Sequence, residues 1–342
     1  MTGLAWSVGG FVITLLLVWV TLKLVSVAGW LVEPNQRSSH VQATPTAGGL
    51  GLVLVVLAYL VAMFSAGVTL AGSWAFALVG LAMVGLWDDL AELRARWRWP
   101  VQVFASLLTL WALMPTYEAA FSDWGAWLWL WFGLCLIALV WFINLFNFMD
   151  GIDGIAGVQA FTFALGTQIV SGGLVGWSGD LVWLLAGASL GFLCFNWPPA
   201  KIFMGDVGSQ ALGLLIGGLV LLLHVKGSVS IPASLILLSV FWADATYTLT
   251  VRYWSGQKVT QAHRSHLYQR LAQKYGHFYV TVGFVGLWMV WLLPLAWYAS
   301  HLSLDGSIWS PWILVAVAIT PLVILCQRFA AGRVINDIRD VT

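Results

Sequence analysis

Charged residues are scarce in this 342-residue chain, where they make up 8% of the residues against 61% that are hydrophobic. Soluble domains carry about 25% charged residues, so a soluble globular fold is excluded. The formal net charge is +1, which gives no electrostatic basis for binding nucleic acid. Cys135, Cys194 and Cys326 all lie in apolar runs and have no partner at metal-ligand spacing, so no disulfide set or cysteine metal site is expected.

Several enzyme motifs are missing as well. The chain has no Walker-type phosphate loop, no GxSxG elbow and no HExxH pair, which argues against a P-loop nucleotidase, an α/β-hydrolase and a zincin. We find no internal repeat and no soluble domain, so residues 1–342 are expected to form one transmembrane domain. The first apolar run has no basic residue ahead of it and no small-residue cleavage site, so we expect a retained helix.

Long apolar runs dominate what is present. A helix that spans a membrane needs about 20 mostly apolar residues, and eleven stretches of the chain are candidates. The expected fold class is therefore all-α, a polytopic integral membrane protein with about 11 transmembrane helices. The candidate spans are 5–32, 48–66, 69–87, 100–115, 126–147, 155–172, 180–196, 210–225, 230–252, 278–300 and 310–329.

The basic residues are distributed unevenly between the loops. If the N-terminus is outside, every Lys and Arg from Arg37 to Arg339 lies in an inner loop or at an inner helix end, apart from Lys226. Lys23 lies within the first span. Because cytoplasmic loops carry an excess of Lys and Arg, we expect these loops to face the cytoplasm. The same side holds the acids Asp88, Asp89, Glu92, Asp150, Asp153 and Asp206.

The first polar motif is the pair Asp88 and Asp89 at the inner end of the third span. Neighbouring carboxylates repel each other unless a cation or base shares the site. Adjacent helical positions point about 100° apart, so one carboxylate could take a proton or bind metal while the other holds an Arg or Lys. A solvated helix end is an equally good interpretation of the pair alone.

The second motif places Asn144, Asn147, Asp150 and Asp153 at every third position before and through two glycines. Neighbours in such a series are adjacent on a helix surface, and the glycines indicate that the helix ends there. Carboxylate and amide oxygens suit Mg²⁺. A polar turn between spans is the alternative, but a turn does not require two amides and two acids on one stripe.

The third motif is Asp206 between two glycines, just before an apolar span. It predicts either a helix N-cap or a metal ligand beside a phosphate at the helix N-terminus. The fourth motif is the pair His263 and His266, which could meet on one helical face. Imidazole and guanidinium groups suit pyrophosphate oxygens, whereas positive-inside anchoring would explain the arginines but not the histidines.

Two further observations concern single residues. Asp244 lies within the ninth span, where an acid is costly and usually faces a polar partner, unless it is close enough to the interface to be solvated. His224, His277 and His301 lie at membrane boundaries away from any polar cluster, so we assign them no role.

Together these motifs resemble the polyprenyl-phosphate N-acetylhexosamine-1-phosphate transferases, glycosyltransferase family 4. The family pattern NxxNxxDGxDG is matched in full by residues 144–154, and FMGDxGS by residues 203–209. The resemblance runs from the Thr44-Pro45-Thr46 loop to His266 in the family's order. It implies a Mg²⁺-dependent enzyme (Mn²⁺ as a substitute) of the bacterial inner membrane. Its substrates would be a UDP-N-acetylaminosugar and undecaprenyl phosphate, and a homodimer is the expected assembly.

The resemblance also assigns roles. Asp153 and Phe203 match positions that hold the uracil ring, and one carboxylate of the Asp88–Asp89 pair would activate the lipid phosphate. Asn147 and Asp206 match the Mg²⁺ ligands. The full expected sets are catalytic Asp88, Asp89, Asp150, His263 and His266; metal-binding Asn147 and Asp206; and substrate-binding Asn144, Asp153, Lys201, Phe203 and Arg264.

Two departures separate the chain from the phospho-N-acetylmuramoyl-pentapeptide transferases of that family. Glu92 and Arg94 stand where that branch usually has a lysine, and the His263–His266 segment lacks its histidine cluster. This segment is similar to the O-antigen-initiating branch, so the start of lipopolysaccharide O-antigen or related cell-envelope glycan synthesis is the expected function. The peptidoglycan enzyme is the alternative within the family. A secondary transporter or a passive scaffold is the alternative outside it, although a one-sided polar face without repeats is unlike a transporter.

Overall fold

Helices make up nearly all of the computed structural model, which describes residues 3–32, 43–91, 93–258, 263–304 and 309–334. The predictions that involve Arg37, Glu92 and Arg339 lie outside these residues. The described helices are α1 Gly3–Ala28, α2 Gly49–Ser65, α3 Thr69–Ala91, α4 Ala95–Ala120, α5 Ala126–Met149, α6 Ile155–Val170, α7 Gly176–Asn196, α8 Gly205–Val225, α9 Ile231–Leu237, α10 Ser239–Trp254, α11 Leu267–Tyr275, α12 His277–Leu287, α13 Leu293–Leu304 and α14 Ser310–Arg328. A 3-10 turn lies at Ser122–Trp124, and a π turn, Trp288–Leu292, joins α12 to α13.

The expected all-α, polytopic fold is confirmed. Eight described helices are long and apolar enough to cross a membrane, or nine when the bent pair α9–α10 is one span. The two remaining predicted spans are the shorter apolar helices α2 and α6, of 17 and 16 residues. At about 1.5 Å per residue they are roughly 24–26 Å long, somewhat short of a hydrocarbon core of about 30 Å.

The ninth predicted span is broken rather than continuous. Its two halves, α9 and α10, meet at Leu238 with a bend of 79°. Gln159 on α6 is buried and donates a hydrogen bond to the carbonyl oxygen of Leu237, at 3.1 Å. A carbonyl freed inside a membrane needs such a partner, so this amide stabilises the bend.

The central helix is α8, which is the most buried of the described spans and packs against α2, α3, α4 and α5. Glycines allow these backbones to approach closely. A Cβ on Gly208 would lie 2.7 Å from the Cα of Gly49, and one on Gly85 would lie 2.6 Å from the carbonyl oxygen of Asp206. The close approach of α2 and α3 fixes the position of the first turn of α8.

The polar motifs lie at one end of the helix bundle, which we call the site end. It is formed where α3, α5 and α7 end and where α2, α6 and α8 begin. A two-stranded antiparallel ribbon, Leu31–Val32 with Thr44–Pro45, also lies there. The Phe203 N–H donates to the Pro45 carbonyl and the Gly48 N–H donates to the Phe203 carbonyl, both at 2.8 Å. These bonds hold the loop before α2 against the loop before α8.

Candidate active site

Asp206 lies on the first turn of α8 and is contacted by side chains of three helices, α4, α5 and α8. One carboxylate oxygen accepts from the Asn147 amide of α5 at 2.8 Å. The other accepts from Arg98 of α4 and from Gln210 of α8, both at 2.9 Å. The structure therefore brings the two predicted metal ligands, Asn147 and Asp206, into direct contact.

The aspartate pair diverges, as the helical geometry predicts. Asp89 accepts from the backbone N–H groups of Asp206 and Val207, at 2.8 and 3.2 Å. Asp88 instead pairs with Arg98 and accepts from the Leu93 N–H at 2.5 Å. The N-terminus of α8 is thus capped by Asp89, and the interpretation of Asp206 as the capping residue is wrong.

Gly205 allows this arrangement. Its φ is +75°, a left-handed conformation that favours glycine. A Cβ at this position would also lie 2.5 Å from a carboxylate oxygen of Asp89. The glycine before Asp206 is therefore required both by the backbone turn and by the cap.

A chain of buried amides extends from this cluster into the bundle. The Asn144 amide donates to Gln102 at 2.9 Å, and Gln102 donates to Gln210 at 3.1 Å. Gln102 and Gln210 are buried. Neither residue is among those predicted from the sequence, and the pairing role of Arg98 was not predicted either. The available signal was an amide inside an apolar span, which usually has a polar partner.

Asp153 lies in a second contact group, beyond the end of α5. Its carboxylate accepts from the Ala200 N–H at 3.0 Å and lies 3.2 Å from Nδ1 of His277. The prediction that His277 lies away from any polar cluster is therefore wrong, because the fold brings it to a predicted substrate-binding residue. Asn196, also missed, accepts from the Gly154 N–H and donates to the Ile202 carbonyl, at 2.9 and 2.8 Å.

The polar side chains between residues 144 and 153 do not share the one helix face that was predicted from their spacing. Helix α5 ends at Met149, as the glycines indicate, so Asn144 and Asn147 point to α4 and α8 while Asp153 turns towards Ala200. Asp150 lies between these directions at the end of α5, where its N–H donates to the Asn147 carbonyl at 3.3 Å and its carboxyl group has no hydrogen bond to a described residue. Burial, followed by the charges of Asp206, Asp89 and Asp153, raises the pKa of Asp150 well above its usual value.

Asp244 organises the histidine segment. It is buried, and its two oxygens accept from the backbone N–H groups of Leu267 and Tyr268, both at 2.9 Å. Since these are the first N–H groups of α11, Asp244 acts as a cap supplied from α10. The polar-partner interpretation is confirmed and the solvated one is wrong. The Tyr268 hydroxyl donates to the Phe148 carbonyl at 2.8 Å, which joins α11 to the end of α5.

His263 and His266 do meet, although not on a helix. Their rings stack with centroids 4.9 Å apart, and His266 is the residue before α11. His266 is buried, with Nδ1 3.4 Å from an Asp244 oxygen. Burial, with smaller effects from His266 and Arg252, lowers the pKa of His263 to about 3. His263 is therefore a neutral imidazole at neutral pH.

The remaining predicted substrate-binding residues lie at the rim. Phe203 is half-buried in the loop held by Pro45 and Gly48. Lys201 and Arg264 are exposed, and their side chains make no hydrogen bond or ion pair within the described residues. Both are free to reach a ligand.

Comparison with known proteins identifies the family of this chain. A sequence profile of Glycosyl transferase family 4 matches residues 71–224. The phospho-N-acetylmuramoyl-pentapeptide-transferase of Heliobacterium modesticaldum is 34% identical over 236 residues, which cover 60% of this chain and 70% of the relative. The chain belongs to glycosyl transferase family 4.

Other relatives have different names. A Bacillus subtilis protein, "probable undecaprenyl-phosphate N-acetylglucosaminyl 1-phosphate transferase", is 28% identical over 76% of this chain and 74% of its own length. A phospho-N-acetylmuramoyl-pentapeptide-transferase of Thermosynechococcus vestitus is 34% identical, and the match spans 65% of it, just under two thirds. The similarity therefore supports the family and does not separate its branches.

The side chains at the site of this family 4 member can be compared with the ligands that bind metal ions in proteins. Within the described residues, no group of three or more His, Cys, Asp or Glu side chains is arranged to hold an ion. Mg²⁺, however, is usually bound by one or two carboxylates together with substrate phosphates and water. Asp206 and Asn147 lie side by side, and Arg98 next to them could bind a phosphate oxygen. The residues present fit such a partly substrate-built Mg²⁺ site.

Proposed function

We propose that this protein transfers an N-acetylaminosugar 1-phosphate from a UDP-sugar to undecaprenyl phosphate and releases UMP. One observation carries the proposal: Asp206, at the N-terminus of the central helix, contacts both the Asn147 amide and the Arg98 guanidinium. This arrangement places a carboxylate and an amide, which could hold a metal ion, beside a guanidinium, which could bind the oxygens of a diphosphate.

In phosphoryl transfer the protein mainly positions the reactants and neutralises the charge of the phosphate groups. Asn147 and Asp206 would hold Mg²⁺, which supplies positive charge to the donor diphosphate and to the departing UMP. Arg98, Lys201 and Arg264 would bind phosphate oxygens. The neutral ring of His263 can donate one hydrogen bond to them without adding a charge.

Asp88 is our choice for the group that activates the acceptor. Asp89 already accepts two backbone hydrogen bonds, whereas Asp88 is held by Arg98 and one N–H. Asp88 would take any proton left on the lipid phosphate, whose second pKa is about 6. A lipid phosphate oxygen then bonds to the sugar-bearing phosphorus as the bond to the UMP oxygen breaks. A covalent aspartyl phosphate is the alternative, and it would leave phosphorylated protein when donor is added without lipid.

The sugar donor and the biosynthetic pathway are proposed from the histidine segment. The His263-Arg264-Ser265-His266 segment supports an O-antigen-type or related envelope glycan, while the named relatives equally include peptidoglycan enzymes. The site would face the cytoplasm of a bacterial inner membrane, since the basic residues lie at that end, and a homodimer is proposed from the resemblance. Because the polar cluster is at helix ends rather than the bilayer midplane, it is unlike a transporter site.

The test is UMP release by the purified protein with undecaprenyl phosphate, Mg²⁺ and a panel of UDP-N-acetylaminosugars, with EDTA controls. We expect release only with lipid and metal, and a loss of at least about a hundredfold in Asp206→Ala. Asp123→Ala, which removes an exposed carboxylate at the opposite end, is the matched control and should retain activity. Activity without metal, or in Asp206→Ala, would overturn the proposal, and the preferred donor would decide the branch.

A further inference from the structure

A cavity lies at the end of the bundle opposite the site end. Its volume is about 580 Å³, and it is bordered by the α6–α7 loop, the α8–α9 loop and α13. The helix α8, of 21 residues, separates it from Asp206 by about 30 Å. Ligands of the reaction at Asp206 therefore do not account for it.

The lining of this opposite-end cavity combines apolar side chains with polar and basic groups. It includes Lys226, Ser171, Ser228, Ser300 and His301, and no Asp or Glu of the described residues lines the cavity. Gly172, Gly173 and Gly227 line it with positive φ values, and a Cβ at any of them would meet open space. Hydroxyls, glycine backbone and one ammonium are groups that bind oxyanions.

Lys226 is held in place without a counter-charge. Its ammonium donates to the Ser178 hydroxyl at 3.0 Å and lies 5.1 Å from the centre of the Trp177 ring. No carboxylate of the described residues forms an ion pair with it. Partial burial lowers its pKa. A lysine that only balanced the C-terminus of α8 would point to the α8 carbonyls, whereas this one reaches across to α7.

The wall that positions Lys226 is built from buried hydrogen bonds. Gln168 is buried, accepts from the Leu174 N–H at 2.9 Å and donates to the Gly179 carbonyl at 3.0 Å. Tyr59 donates to the Trp177 carbonyl at 2.6 Å. The cavity is therefore pre-formed, so binding would lose little free energy to ordering of the protein.

We propose that this cavity binds the phosphate group of an anionic ligand, with Lys226 as its charged contact. An ammonium has three N–H donors, and the Ser178 bond uses one of them. The apolar part of the lining, Leu174, Val175 and Trp297, lies at the end of membrane spans, where a lipid headgroup would lie. The same phosphate chemistry is available from a phosphodiester lipid or from free phosphate.

Titration of the detergent-purified full-length protein separates the two sources. The probes are dihexanoylphosphatidylglycerol, inorganic phosphate and, as a zwitterionic comparison, dihexanoylphosphatidylcholine, with binding followed by calorimetry. We expect phosphatidylglycerol to bind about tenfold more weakly to Lys226→Gln, since a charged hydrogen bond is lost, and Lys226→Arg to restore binding. Ser228→Phe, which fills the cavity and keeps the charge, should also weaken it.

The control for charge is Lys23→Gln, which removes a lysine from α1 and should bind as the unaltered protein does. UMP release by each variant reports folding, because neither lysine belongs to the proposed catalytic site. Lys226-dependent binding of phosphatidylglycerol would identify a lipid site, and Lys226-dependent binding of inorganic phosphate alone would identify a soluble anion. Binding that is absent, or equal in Lys226→Gln and the unaltered protein for both probes, would overturn the proposal.

Discussion

The carboxylates of Asp88 and Asp89 are adjacent in the chain, but their oxygens are engaged differently. Asp89 caps α8 through two backbone N–H groups, while Asp88 faces Arg98. An asparagine in place of Asp89 would have one acceptor oxygen, and its NH₂ group would face a backbone donor. Leaving one buried donor unsatisfied costs about 1–3 kcal/mol. Asp88→Asn has a smaller structural effect, because Arg98 keeps its contact with Asp206.

We therefore expect the two substitutions to separate stability from catalysis. Asp89→Asn should lower the Tm in detergent together with activity. Asp88→Asn should keep the Tm and lower the rate of UMP release by about a hundredfold or more, the usual contribution of a general base. Thermal unfolding and pH–rate profiles measure both effects. Near-normal rates in both variants would make the pair structural and remove Asp88 from the mechanism.

At the scale of elements, the short helix α11 depends on a residue of α10. Asp244 accepts the first two backbone N–H groups of α11, and Tyr268 then ties α11 to the end of α5. Losing the carboxylate removes a cap, which costs about 0.5–2 kcal/mol, and releases the segment that carries His263 and His266.

We predict that Asp244→Ala raises the KM for the UDP-sugar about tenfold, because the histidine segment no longer holds its position against α5. Thr248→Val is the matched control, since Thr248 donates to the same carboxylate at 3.0 Å and its side chain forms no hydrogen bond to the described residues of α11. Steady-state kinetics and Tm measurements on both variants check this. Equal KM values in Asp244→Ala and Thr248→Val would show that the α11 cap does not position substrate.

The elements themselves were largely predictable from sequence, because apolar length and glycine breaks are local signals. The end of α5 at Met149 follows from the glycines after it. The bend at Leu238 was not predictable, since the amide that stabilises it, Gln159, belongs to another helix. The same holds for Arg98 and His277: each acquires its partner only when separate helices pack, and neither lies within the motif it serves.

At the scale of the whole molecule, most basic residues lie at the site end, yet carboxylates outnumber cations in the cluster around Asp206. Arg98 pairs with Asp88 and Asp206, whereas Asp89 and Asp150 form no ion pair with a described residue. Burial and the acidic neighbours of Asp150 raise its pKa. A carboxyl whose folded pKa is raised keeps its full stability below its unfolded pKa of about 3.9 and loses stability as pH rises through the folded value.

Asp150→Asn should therefore stabilise the protein while it impairs the reaction. We expect its Tm to exceed that of the unaltered protein by on the order of a few degrees at pH 8, with the difference disappearing near pH 4. Added Mg²⁺ should raise the Tm of the unaltered protein more than that of Asp150→Asn, because the cation relieves the same repulsion. Asp123→Asn removes an equal charge from the opposite end and should show neither effect. A Tm difference that is the same at pH 4 and pH 8 would mean that Asp150 is not a strained acid, and the convergence of carboxylates at this end would then need no cation.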